Sequence, residues 1–236
     1  MQRRMSLPGF RMRLTTCATV LAVALLALAP GPAPAADSDQ QALVEKAKAT
    51  FETFLNAPEM GWFRDHLGDS YGLVIFPLVL RAGFIFGLEG GSGVLVARKE
   101  IPGTWSDPAF YTMASGSFGL QIGAQGAEII LMVRSKRGVS SLLSSSLKLG
   151  ADIDIALGPV GMGAKVKTAS ILAFARAKGI FGGVTVNGAV LSTRDEWNNA
   201  YYGRRVLPLD IIVLRSVSNK GAKGLVDAVT IATEQP

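Results

Sequence analysis

The sequence predicts an α+β fold: a strongly curved, mainly antiparallel, glycine-rich β-sheet, barrel- or sandwich-like, with helices at the N- and C-terminal ends. Three observations carry this. Short apolar runs recur between turn residues from Gly72 onward. Glycine supplies 27 of 236 residues, above the usual ~7%, and much of it falls inside those runs, where it marks bulges, bends or close backbone approach. Helical periodicity is strongest near the two ends.

The elements follow in order. Asp37 to Asn56 reads as an amphipathic helix, because Leu43, Ala47, Phe51, Phe54 and Leu55 recur every three to four residues. Asp37 or Ser38 caps it, and Pro58 and Gly61 end it. Trp62 to Leu67 reads as a short helix. Leu73 to Phe76 is an apolar strand halted by Pro77, and Val94 to Ala97 is another. Pro102-Gly103 and Asp107-Pro108 are turns. Further strands are read at Ser117–Ala124, Ala127–Arg134, Leu147–Leu157, Ser170–Arg176 and Gly183–Leu191. In the third of these, Leu149, Ala151, Ile153 and Ile155 alternate with Lys148, Asp152 and Asp154, the period of a half-buried strand. Gly138–Ser146, Asp195–Tyr202 and Lys220–Ala232 read as helices.

The first 35 residues read as a signal peptide. Arg3, Arg4, Arg11 and Arg13 precede a short apolar run, Ala18–Ala29, and Ala33-Pro34-Ala35 fits a small-x-small cleavage site before Ala36. The expectation is an exported, periplasmic protein, peripheral to a membrane, with residues 36–236 as a single domain. Of the chain's 24 basic residues, four lie in the leader. The remaining 20 face 18 acidic ones, a net of +2. That balance argues against a nucleic-acid partner.

The same residues argue against catalysis. The one cysteine, Cys17, lies in the leader, and the one histidine is His66. Zinc sites draw on several such ligands and a Ser-His-Asp triad would need His66, so no metal, cofactor or catalytic residue is assigned. Gly87–Gly93 lacks the Lys-Ser/Thr of a phosphate loop, and Lys165 stands at the wrong spacing after Gly158. Asp152 and Asp154 read as a solubilising pair.

Several segments in order carry a family resemblance: Gly72-Leu73-Val74-Ile75-Phe76-Pro77, Gly90-Gly91-Ser92-Gly93, Trp105–Tyr111, Gly119–Ala124, Lys148–Asp152, Gly158-Pro159-Val160-Gly161, Lys178–Gly183 and Asn199–Gly203. Across residues 60–205 the chain resembles a SYLF domain. The resemblance implies a non-catalytic domain that binds anionic phospholipid or phosphoinositide headgroups, with a membrane-binding amphipathic helix at its N-terminus. One branch of the family also binds actin, which implies a protein-interaction or scaffolding alternative with an envelope protein as partner. The chain departs from the family at Phe174-Ala175-Arg176, where many members have Tyr-Ser-Arg, and at Met162, where an arginine is common. The lipid-contact candidates are Lys46, Lys48, Phe51, Arg81, Arg98, Lys99, Arg134, Lys136 and Arg137, cations for phosphate and one aromatic for the interface.

Overall fold

The computed structural model describes residues 38–83, 86–101, 103–118, 123–160, 169–182 and 186–234. The expected leader and its cleavage point lie outside them, as do residues 119–122, Met162 and Lys165. Helix α1 (Asp39–Asn56) starts at Ser38, whose hydroxyl accepts from the Gln41 N–H at 3.2 Å. Its C-terminal carbonyls are closed by Arg64 in α2 (Gly61–Asp65), which donates to Leu55 and Ala57 at 2.9 and 2.5 Å.

Four long strands follow: β1 (Gly72–Gly83), β2 (Phe86–Ala97), β3 (Ala109–Phe118) and β4 (Gly123–Val133). After α3 (Lys136–Leu142) come β5 (Ser146–Lys148), β6 (Ile155–Leu157), β7 (Ile171–Ala177), β8 (Ile180–Phe181) and β9 (Val190–Thr193). The chain ends with α4 (Asp195–Tyr202), a π-helical turn (Asp210–Leu214) and α5 (Lys223–Glu234). The strands form one curled sheet in the order β5-β9-β3-β2-β1-β4-β7-β6, with β8 beside β7. Every named pair is antiparallel except β6 with β7. The expected α+β class and sheet character hold.

Four local expectations do not. Pro77 does not stop β1. The strand runs on to Gly83, and its pairing with β2 shifts register between Ile75 and Leu78. Proline is tolerated there because a bulge asks no ladder N–H of it. Opposite the shift, a Cβ on Gly93 would stand 2.5 Å from the Ile75 carbonyl oxygen, so the close approach requires glycine. The strand expected at 117–124 is instead the end of β3 and the start of β4. Apolar residues at the end of one strand and the start of the next mimic one continuous strand.

The strand expected at 147–157 is a reversal between two three-residue strands. Gly150 has φ +83°, and the Asp152 carboxylate accepts from the Lys148 N–H at 2.6 Å. Asp154 accepts from the Ser170 N–H at 2.8 Å. The aspartates tie down backbone at a turn rather than stud a strand face. The strand expected at 183–191 is likewise shorter in its described part, with a turn at Asn187-Gly188 before β9.

The central strands are apolar on both sides because both sides are covered. On one face, Leu73, Ile75, Val94, Val96, Phe110, Ile130, Met132, Leu172 and Phe174 meet Val44, Ala47, Phe51 and Phe54 of α1, Phe63 of α2, Tyr201 of α4 and Leu225 and Val229 of α5. On the other, Val74, Phe76, Leu95, Leu131, Val133 and Ile171 meet Val139 and Leu142 of α3 and Ile211 and Ile212 of the π-helical turn.

Candidate functional site

The structure separates the predicted contact residues into three groups. The first is structural. Phe51 is fully buried in the helix-side core, its ring edge-on to Phe63. Arg98 is also buried. Its Nε donates to the Ser70 carbonyl at 2.7 Å, Nη2 reaches the carbonyls of Leu67 and Gly68, and the guanidinium lies 5.1 Å from the Trp105 ring centroid. Desolvation lowers its pKa. Neither side chain is a surface contact, because the residues the sequence places near an edge are roofed by α2, the Leu67–Asp69 turn and α5.

Lys99, Arg134, Lys136 and Arg137 form the second group. They are exposed at the end of the sheet where β2 and β4 finish on either side of Gly72, which we term proximal. Acids are interleaved with them. Asp152 and Asp154 share a polar cleft with Arg137, Ser141 and Ser170. The Ser170 side chain and N–H hold the Asp154 carboxyl below its usual value, with a small contribution from Arg137. The cations brought together here therefore sit in a mixed field, not a basic one.

The third group points the other way. On α1, Lys48 pairs with Glu52 at 3.4 Å on the edge beside α5, against Gly224. Lys46 is exposed on the opposite edge, one turn before Thr50, whose hydroxyl reaches Glu128 of β4 at 3.5 Å. Arg81 pairs with Glu89 across β1 and β2 at 2.7 Å. Both belong to the distal end of the sheet, on the far side of α1 from α5.

That distal end holds what sequence reasoning missed. The β4–β7 pairing stops at Ala127 and the β3–β9 pairing at Ala114. Beyond them β3, β2, β1 and β4 project alone. After the bulge Val79 continues on the covered face, so Leu78 and Leu80 turn to the helix-side face, past the edge of α1. Leu88 joins them through the Ala82–Leu88 pair. Leu78, Leu80 and Leu88 are 52, 55 and 77% exposed. Leu80 and Leu88 line a shallow groove with Glu89, Gly90, Ala114, Ser115, Gly116 and Val190. On the other side of the sheet, past β4, the two-residue Lys178-Gly179 turn joins β7 to β8, with Lys178 at φ +50° and exposed. Among the described residues no cluster of three or more His, Cys, Asp or Glu is placed to hold a metal, and no helix is long and apolar enough to cross a membrane.

The comparisons fit this architecture. Residues 114–232, from β3 into α5, match the Ysc84 family model, described as "Las17-binding protein actin regulator". The chain belongs to the Ysc84 family. This is the family the SYLF-like segments point to. The chain is 33% identical over 147 residues to LAS seventeen-binding protein 3 of Saccharomyces cerevisiae, covering 59% of this chain and 32% of that protein. It is 30% identical over 152 residues to the human SH3 domain-containing YSC84-like protein 1, covering 62% and 44%. Protein YSC84 of Saccharomyces cerevisiae is 34% identical over 140 residues, 56% of this chain and 30% of that protein. The chain thus spans less than half the length of these relatives. No solved structure matches it.

Proposed function

We propose that this Ysc84-family chain is a non-catalytic lipid-binding domain that docks on an anionic membrane surface, phospholipid or phosphoinositide, within an exported protein whose residues 1–35 are its leader. One juxtaposition carries the reading: exposed Leu78, Leu80 and Leu88 at the distal end, with Lys46 on the flanking helix edge and Lys178 on the turn past β4. Apolar side chains bordered by lysines suit a membrane interface, where each cation near an anionic surface contributes about 1 kcal/mol. Co-sedimentation of the protein with vesicles of rising phosphatidylglycerol content tests it. Pelleting that grows with anionic fraction supports the reading, and no pelleting at any composition refutes it.

The family description favours a second reading. Relatives are named for binding Las17, so the same apolar end would meet a protein. A stoichiometric protein partner whose capture is lost in Leu80→Glu, together with no vesicle binding, would establish it.

A further inference from the structure

We infer that the distal half of the sheet is a self-association face. A second copy of this chain laps onto it, helix-side face to helix-side face, about a two-fold axis beside Leu80 and Leu88. The pairing shares its leucines with the membrane reading above but does not depend on it. Because one face serves both, the paired chain is withheld from a membrane.

The helix-side layer stops short of the strands beneath it. Over the proximal half, α1 and α5 cover the sheet. At the edge of α1 that cover ends, and Leu78, Leu80 and Leu88 are each more than half exposed. The step is one helix diameter deep, ~10 Å. Two sheets packed face to face also stand ~10 Å apart. The projecting half of a second copy therefore fills the step, and its own step receives the first copy.

The relief of the face is self-complementary, as a two-fold contact requires. Leu80 stands in register between Gly90 of β2 and Gly126 of β4, and Leu88 is paired with Gly116 of β3. Ridges thus alternate with troughs. A Cβ on Gly90 would meet only the Met113 carbonyl oxygen, at 3.5 Å, and among the described residues one on Gly116 would meet nothing within 4 Å. Leucines of one copy seat in the glycine troughs of the other.

Charge permits the contact. Near a two-fold axis a residue meets its own copy, so a lone charge there would repel itself. Residues 109–127 hold no Asp, Glu, Lys or Arg. Arg81 and Glu89 pair with each other on the opposite face, and Glu128 and Arg176 pair with each other at the rim. Lys46 stands on the wall of the step, and the axis carries its mate to the far end of the lap. The outer edges of β3 and β4 beyond Ala114 and Ala127 stay at the sides, in water. The face measures roughly 19 Å across four strands by ~17 Å from Leu78 to Gly83. That is small beside the ~800 Å² per partner of a durable complex, so the pairing is weak and reversible.

Sedimentation equilibrium of the full chain, in a Cys17→Ser background, tests it between about 1 and 300 µM. A monomer–dimer equilibrium is expected. Gly116→Leu fills a trough where the fold has room, and should raise the dissociation constant at least ~10-fold. It should keep vesicle pelleting, since it adds apolar surface to the face. Spin labels locate the contact. At Gln125→Cys, on the opposite face of the distal half, the two labels of a dimer should lie within about 35 Å, and at Lys99→Cys, at the proximal end, beyond ~60 Å. A chain still monomeric at about 300 µM, or a dimer indifferent to Gly116→Leu, overturns the pairing and leaves membrane docking standing. Labels closer at 99 than at 125 place the contact elsewhere and overturn it too.

Discussion

The two halves of the same long strands live in different surroundings. In the proximal half, β1, β2 and β4 are covered by helices on one face and by α3 and the π-helical turn on the other. In the distal half, the helix-side face lies beyond the edge of α1 and carries exposed leucine. The contrast shows that apolar sequence has two uses here. Residues such as Ile75 and Leu78, three apart in β1, look alike in sequence, yet one is core and the other surface. What separates them is where the helical roof ends.

The largest expected effect is on stability. Phe174→Ala or Phe51→Ala should cost about 3–5 kcal/mol by urea unfolding, since both side chains are wholly buried among aromatic neighbours. Leu88→Ala should cost within about 0.5 kcal/mol. Comparable losses at 88 and 174 would erase the distinction between the halves. Next comes Arg98→Met, which strands the Ser70 and Gly68 carbonyls in a buried site and should cost about 2–3 kcal/mol. Vesicle binding of the folded fraction should be unchanged, because Arg98 clamps the proximal half and touches no ligand.

Lys46→Glu sharpens the distal half. It should weaken binding to anionic vesicles several-fold and leave binding to neutral ones unaltered, as expected for a cation at the rim of an apolar contact. The smallest effect concerns pH. Burial raises the Asp107 carboxyl above its ordinary value of 3.8, against the Asn219 N–H that it accepts at 2.7 Å. A raised pKa means the folded state holds the proton longer. Asp107 therefore contributes stability below about pH 3.8 that is lost as pH rises through its raised value. Asp107→Asn should remove that component, read as the difference between wild-type and variant stability over the acid range.

Much of the fold was legible in the sequence. The period of α1, the span of α4 and the apolar cores of β1, β2, β4 and β7 follow from residue spacing alone. Turns built from aspartate within an alternating run were not legible, because Asp152 and Asp154 keep a strand's period while bonding backbone across a reversal. Nor was the fate of the cations. Arginine looks the same in sequence whether it clamps carbonyls, as Arg98 does, or meets solvent, as Arg134 does. The exposed leucines hid in a doubly apolar strand after Pro77, where alternation carries no signal. The signal that was available is the missing charge in residues 82–88 and 109–127.

The most direct test sets the two ends against each other in one vesicle co-sedimentation series. It compares wild type, Leu80→Glu/Leu88→Glu and Arg134→Glu/Lys136→Glu/Arg137→Glu. All three carry the same residues 1–37, so differences report the domain. If the distal end is the docking end, the leucine variant loses binding while the proximal charge-reversal variant keeps it within about threefold, the small residue of long-range screening. Loss in the charge-reversal variant with full retention in the leucine variant would place the contact at the opposite end and contradict the account.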